Sequence, residues 1–434
     1  MNILHINSHD LHGSRFNGYQ MQYVIQGEHK VEMAVWEKTS NNSNVHHIPP
    51  SKNWIFNFLT QKIIIVTAKL GFDRLFGFGG MLLPFFSFYK RADIVHLHLI
   101  HNISNFSIGS LPNIGRNKPL VWTLHDPWAF TGGCEHSFDC EKWKSGCKGF
   151  CPHPRANSFF KRYIPFFHWK IKRLIYSKAD LTLIVASKWM FDKVKASPLM
   201  SHYNCHLIPF GVDINLFRPM DKLLARKSLG INETDKVLAF RDPGFHVDKF
   251  KGMKWLYKAL EDLQTEIPIT LLIFQDGKEF DKLSGKFKII KTGWIKDLEM
   301  VEAMSAADLF LMPSIQESFG LMAIEAMACG LPVIVSEGSA LPSIIKAPLG
   351  GISVPPKDSV ALMNAIESLL INDEKRLKIS IQARQLVEAE YSDQFYINKH
   401  IEVYESIINK FNLKNKRNLG KNDGLTNVYR NYSC

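Results

Sequence analysis

Short runs of Val, Ile and Leu alternate with longer stretches of mixed polarity along most of this chain. That is the pattern of parallel strands buried on both faces by intervening helices. In the first half, strands are expected at 3–6, 94–99, 120–124, 181–185 and 207–208. The series breaks at 209–219, a proline-bounded segment with one glycine that reads as a linker. It resumes at 237–240, 269–274, 288–291, 309–311 and 332–335, with helical stretches such as 253–263 between. The predicted fold class is α/β: two Rossmann-like, doubly wound domains facing across a cleft, where the carboxyl ends of their strands would receive ligands. The domains are expected at 1–212 and 213–391, followed by a helix over 392–411 packing back toward the N-terminal domain. The last stretch, 412–434, is polar, lacks apolar periodicity and reads as a disordered tail.

With 434 residues, 46% of them hydrophobic, the chain can bury two cores. Lys62, Lys69, Asp73 and Arg74 interrupt its most apolar stretch, 54–89, so no membrane span is expected. The first residues lack the basic and long apolar regions of a signal peptide, and the expected location is the cytoplasm.

Charge divides unequally between the halves. Of the 53 Lys and Arg, 25 lie in residues 1–218 against 13 Asp and Glu, whereas 219–434 hold 28 of each, so the net +12 belongs to the first half. A basic half suits an anionic partner, such as a membrane surface or a phosphate-bearing acceptor. Its densest basic segment, 155–178, interleaves aromatics with Lys161, Arg162, Lys170, Lys172 and Arg173. Two readings of it stay open: a helix lying in the lipid headgroup region of a peripheral membrane protein, or an ordinary surface helix with snorkelling stems. Nucleic acid is not an expected partner, because no nucleic-acid-binding motif accompanies the charge.

The sharpest local pattern is 313–332, which reads as strand end, loop, helix and glycine stop. A helix starting near Gly320 would present the free amides of Phe319, Gly320 and Leu321 as a diphosphate site. Glu317 before the helix could accept hydrogen bonds from sugar hydroxyls, and Glu325 within it from a ribose. Alternatively, Glu317 complements the helix dipole and Glu325 is simply solvated. This block, running on to Ser336, resembles the donor-binding signature of family four of the retaining glycosyltransferases.

The resemblance covers nearly everything from Met1 to about Ile408, and implies the two-domain GT-B fold and a nucleotide-sugar donor held by the C-terminal half. It makes Arg241 and Lys251 counterparts of the family's phosphate-binding cations, and places Gly293 and Trp294 beside the nucleobase. His125, ending a strand, would meet the donor sugar or orient the acceptor; His98 would lie nearby. Gly13 and Ser14 stand where the family has a glycine-rich loop, with one glycine of the usual pair missing, and Arg15 could meet an acceptor phosphate. Ser343 replaces a common glutamate. The segment 124–134 is similar to a branch of the family found in bacterial capsule, exopolysaccharide and lipopolysaccharide assembly. Gly77-Phe78-Gly79-Gly80, without a clear preceding strand, reads as packing or membrane contact.

The expected activity is therefore transfer of a sugar, with retention of configuration, to a saccharide or lipid-linked saccharide acceptor. Glu317 and His125 are the expected catalytic residues. No Asp-x-Asp sequence occurs, so cations and helix amides are expected to stabilise the leaving diphosphate without a metal cofactor. A nucleotide-sugar epimerase on the same fold, or a non-catalytic subunit of a polysaccharide assembly complex, are the alternatives. Finally, Cys134, Cys140, Cys147 and Cys151 fall in one short loop; in a reducing compartment they read either as a structural zinc site, with His136 and His153 as substitute ligands, or as free surface thiols.

Overall fold

The computed structural model describes residues 1–25, 29–48, 62, 65, 66, 75, 79–102, 106–152, 160–244 and 250–429, without the side chains of 160, 161 and 416–429. The chain forms two compact units. One comprises Met1–Val185, Phe191–Ile208 and Ile397–Cys434, the other Ala186–Met190 and Pro209–Tyr396.

The first unit is built on strands β1 (Asn2–His9), β2 (Lys30–Glu37), β3 (Val45–His47), β4 (Ile94–Leu97), β5 (Leu120–Thr123), β6 (Thr182–Val185) and β7 (Asn204–Leu207). They form one sheet in the order β3-β2-β1-β4-β5-β6-β7, and every pair is parallel. Strand order reverses between β1 and β4. Helix α1 (Ile164–Tyr176) turns Trp169 and Tyr176 into the core and leaves Phe167 and Leu174 exposed.

The second unit contains β8 (Lys236–Asp242), β9 (Ile269–Gln275), β10 (Lys288–Gly293), β11 (Leu309–Met312), β12 (Val333–Ser336) and β13 (Gly351–Val354). Its sheet, ordered β10-β9-β8-β11-β12-β13, is also wholly parallel, with the reversal between β8 and β11. Helix α2 (Met253–Asp262) buries Met253, Leu256, Ala259 and Leu260, spaced three, three and one residues apart, against one face of β8 and β9. Helix α3 (Leu321–Ala328) is apolar nearly all round and is buried from Ala323 to Ala328. Both units are Rossmann-like α/β domains, as the periodicity predicts.

Three strands escape the apolar pattern. β2 carries Glu32 in mid-strand, β3 is short and histidine-rich, and β13 opens on a glycine. The segment expected to be a linker is instead packed: Phe210, Val212 and Phe217 are buried, and Val212 exchanges backbone hydrogen bonds of 2.8 and 3.0 Å with Tyr391 and Asp393. The expected irregular tail is likewise corrected. The last helix, α4 (Asp393–Tyr429), runs through it, because extending an existing helix needs no new nucleus. From Ile397 onward this helix belongs to the first unit, where Tyr404 is fully buried and its hydroxyl lies 2.5 Å from His96 Nδ1.

Candidate functional site

In open parallel sheets, ligands bind beyond the carboxyl ends of strands where the strand order reverses. In the second unit that point lies between β8 and β11, and the loops following these two strands are knitted together there. Ile315 donates its backbone N–H to Phe250 O at 2.6 Å, and Lys251 Nζ lies 2.7 Å from Glu317 Oε2. Gly252 closes the contact: its φ is +72°, and a Cβ added there would lie 2.0 Å from Pro313 O. No residue with a side chain fits that approach without moving backbone. Gly252 is also the residue from which α2 starts, so Lys251 is held at the mouth of a helix. The Lys251–Glu317 pair is neither buried nor freely solvated, with side-chain exposures of 35% and 20%. It therefore keeps charge accessible to a ligand while being partly shielded from water.

Helix α3 opens beside the pair. Its N-cap is Gly320, at φ +101°, and a Cβ there would lie 2.4 Å from Leu341. The first amides of a helix have no intrahelical acceptor, and the backbone N–H groups around Gly320 stand at that end of α3. Phe319 anchors this end by packing against Phe210 and Tyr391. Ser187 Oγ donates to Ser318 O at 2.6 Å and fixes the turn further. Glu325, one turn into α3, is 1% exposed, so it is not the solvated helix residue of the alternative reading.

Arg241, Gly293 and Trp294 gather at the ends of β8 and β10. The Arg241 guanidinium stands over the Trp294 ring at 5.3 Å and donates to Gln275 Oε1 at 2.9 Å. Trp294 is 76% exposed, an open aromatic face following Gly293, whose φ is +65°. Gln275 is one residue that sequence reasoning passed over. It adopts φ +84°, a costly conformation for a non-glycine residue, and it aims Arg241. Ser343 donates back to Ala340 O at 2.8 Å, a bond within its own helical turn.

The reversal point of the first sheet holds a chain of histidines. His5 Nδ1 lies 2.8 Å from His98 Nε2, and His98 Nδ1 lies 3.2 Å from His125 Nε2. The facing nitrogens of each pair share one hydrogen. His96, alongside, is held by Thr123 Oγ1 at 2.7 Å and by Tyr404. Burial lowers the pKa of all four, to about 3 for His5 and His125 and well below the usual value for His96 and His98, so they are neutral imidazoles at physiological pH. Ligand atoms of His5, His96 and His98 come within 4.8 Å of one another. Both ring nitrogens of His96 and of His98 have hydrogen-bond partners within this core.

After β1 the chain turns over this core. Buried Asp10 accepts from Thr39 and Ser40; desolvation alone would raise its pKa, but these hydrogen bonds outweigh it and hold the carboxyl well below the usual range. Gly13 is left-handed, and Ser14 and Arg15 follow it in a turn that closes back through Phe16, whose ring lies 5.1 Å from that of His125. Gly18, absent from the sequence-based candidates, comes closest to the histidines: at φ +88°, its added Cβ would fall 2.3 Å from His5 Nδ1.

On α1, Lys170 and Arg173 are exposed and Arg162 is half-buried, stacked at 4.4 Å over Phe150. Lys172 requires a correction. It is fully buried, donates to the carbonyls of Trp128 and Thr131, and stands 3.5 Å over the Trp128 ring, so it cannot meet an acceptor or a membrane. The side chain of Lys161, along with Gly77, Phe78 and His153, lies outside the described residues.

Residues 221–386 match the family model of glycosyl transferases group 1. A glycosyltransferase of Methanocaldococcus jannaschii is 28% identical over 221 residues, which cover 49% of this chain and 54% of that protein. The chain thus spans about half the length of such relatives. A 41.2 kDa protein from the cps region of Klebsiella pneumoniae is 24% identical over 73% of this chain and 80% of its own. Among solved structures, Anabaena HepE in complex with UDP superposes with a TM-score of 0.62 at 16% identity, covering 94% of this chain and all of that one. That likeness establishes the fold over both units. The group 1 match spans Arg241, Lys251, Gly293, Trp294, Glu317, Gly320 and Glu325.

Proposed function

We propose that this protein transfers a sugar from a nucleotide-sugar donor to a saccharide acceptor, with retention of configuration and without a catalytic metal. The observation that carries the reading is the Lys251–Glu317 contact at the strand-order reversal, beside the amide end of α3. The Glu317 carboxylate demonstrates that an anionic oxygen fits 2.7 Å from Lys251 Nζ. A donor diphosphate takes that position, with the α3 amides on its other side and Arg241 near the base. Glu317, exchanged away from Lys251, accepts from hydroxyls of the sugar, and Glu325 from the ribose. As the bond from the anomeric carbon to the diphosphate breaks, Lys251 and the amides stabilise the negative charge that develops. The acceptor oxygen bonds to the same face of the sugar, and its proton passes to the departing phosphate. Trp294 offers its open face to the nucleobase. His125, neutral and hydrogen-bonded through His98, serves as a positioned donor or acceptor to a hydroxyl.

The acceptor is a saccharide carried on lipid, in assembly of a surface polysaccharide at the inner face of a membrane. Support for this comes from α1 and the turn before it, where Tyr163, Phe167 and Leu174 are 41%, 51% and 61% exposed beside the exposed Lys170 and Arg173. Rings and cations on one helix face suit an anionic headgroup layer. The cps-region relative supports the polysaccharide setting.

A thermal-shift screen with UDP, GDP and ADP tests the donor site. Selective stabilisation by one, about 2.7 kcal/mol at a hundredfold excess over Kd, is the expected result. No stabilisation by any would overturn the reading. Incubation with the matching nucleotide sugar alone should produce no new sugar; a new epimer would identify an epimerase.

A further inference from the structure

The segment after β5 contains an arrangement that sugar transfer does not use. Cys134, Cys140, Cys147 and Cys151 are separated by five, six and three residues, yet all four line one small cavity, walled on its other sides by Trp143 and Pro165. Each is half-buried. The Cys134 thiol is hydrogen-bonded to that of Cys151, and Cys140 and Cys147 lie near enough to interact with it electrostatically.

The backbone is organised to bring them inward. Gly146 and Cys147 are consecutive left-handed residues, at φ +96° and +52°, in a turn closed by Cys147 N donating to Lys142 O at 2.8 Å. That conformation is costly for a non-glycine residue and persists where the surroundings require it. Thr131 Oγ1 accepts from Cys134 N at 2.9 Å, Cys140 N donates to Ser137 O at 2.9 Å, and Cys151 N donates to Arg162 O at 3.0 Å.

Around the sulfurs stand groups that suit thiolates. The Gly132 backbone N–H donates to the Cys147 sulfur, and the buried Lys172 ammonium acts on the same sulfur. Lys172 is 0% exposed, donates to two carbonyls and stands over the Trp128 ring. A four-thiolate zinc site has a net charge of −2, and Lys172 with the Gly132 amide offsets part of it.

We propose that Cys134, Cys140, Cys147 and Cys151 bind one zinc ion in a closed, structural site that fixes this loop against α1. On binding, each thiol gives its proton to solvent and its sulfur to the metal. Zinc–sulfur distances of about 2.3 Å put tetrahedral sulfurs about 3.8 Å apart. The Cys134 and Cys151 thiols are already hydrogen-bonded, and a bound ion would draw the other two sulfurs in.

The test is elemental analysis of the full chain purified under reducing conditions from zinc-supplemented medium, together with a thiol titration before and after a strong chelator. The expected result is about one zinc per chain, with four thiols shielded until chelation. Replacement by cobalt should give thiolate-to-cobalt charge-transfer absorption. In Cys134→Ser and Cys147→Ser, zinc content should fall at least tenfold, while Cys205→Ser, outside the loop, keeps it. Wild-type protein free of zinc, with all four thiols reactive without chelator, would overturn the proposal. So would a Cys134–Cys151 disulfide in that preparation. Because the wild-type measurements decide the matter, variants that fail to fold leave it falsifiable.

Discussion

At the scale of single residues, the candidate donor site depends on charge placed where it is half-shielded. Lys251 and Glu317 hold each other at 2.7 Å, so each variant has a distinct consequence. Glu317→Gln keeps the shape and a hydrogen-bond acceptor but removes the carboxylate; transfer should fall by about two to three orders of magnitude in kcat. Lys251→Ala should weaken nucleoside diphosphate binding as well as transfer, and calorimetric titration with the diphosphate separates the two effects. Retained transfer in both variants would reject the assignment. His125 makes a pH prediction. Burial holds its pKa at about 3, so it stays neutral across the assayable range and contributes no limb to the rate profile between pH 5.5 and 8. His125→Gln should lower kcat/KM without changing the profile's shape; an acid limb near 6.5 that vanished in the variant would show a titrating imidazole instead. Glu317, Gly320 and Lys251 were legible in the sequence because glutamate, glycine and lysine there sit in a recognisable local pattern. Gln275 and Gly18 were not, because their roles come from backbone conformation and contacts made through the folded sheet. Lys172 was misread for a similar reason: a basic residue among aromatics looks the same in sequence whether its ammonium reaches water or two buried carbonyls.

At the scale of elements, position comes from where helices begin. Gly252 and Gly320 each open a helix at the reversal point, but they differ in how much their surroundings can yield. A Cβ at Gly320 meets the end of the Leu341 side chain, which can rotate, whereas one at Gly252 meets the Pro313 carbonyl, which cannot. Gly252→Ala should therefore be the more damaging, displacing the start of α2 and Lys251 with it. It should lower Tm by several degrees, at about 2–4 °C per kcal/mol for a domain of this size, and weaken diphosphate binding. Gly320→Ala should cost less stability. Equal effects on melting and binding would mean that the close approach to Pro313 does not position the site. Nine of the ten expected strands occur close to their expected positions, most of them continuous apolar runs of the kind a strand buried on both faces requires, whereas the one expected at 207–208 meets β7 only at Leu207. β2, β3 and β13 were hidden by features that edge or near-edge strands tolerate, namely a mid-strand glutamate, short length and an opening glycine. Glu32 is accommodated in β2 by His46 and Arg91, each 2.9 Å away, partners that are distant in sequence.

At the scale of the whole molecule, both units have apolar cores but differ in what stands at the ends of their strands. The second carries the candidate donor residues there. The first carries His5, His96 and His98 at 0–1% exposure beneath the ends of its strands, with Tyr404 of α4 locked onto His96. A diphosphate that binds the native second unit should raise the melting transition of that unit. Acid should act on the first. Burial depresses the folded-state pKa of each of these histidines, to about 3 for His5, whereas in the unfolded chain each returns to about 6.5. The unfolded state therefore binds more protons below pH 6.5, and the stability present above that pH is lost as pH falls toward the folded values. Each histidine that is neutral when folded and protonated when unfolded steepens that loss. Calorimetry at pH 7.5 and 5.5, with the nucleoside diphosphate selected by the thermal-shift screen marking the second unit's transition, should show the other transition moving down steeply in acid while the marked one moves little. Acid also releases zinc from thiolates, so His96→Gln provides the control: it leaves the cysteine loop intact and should flatten the pH dependence by about one proton. If both transitions shift equally, or the variant leaves the slope unchanged, the buried histidines do not set the acid sensitivity of the first unit.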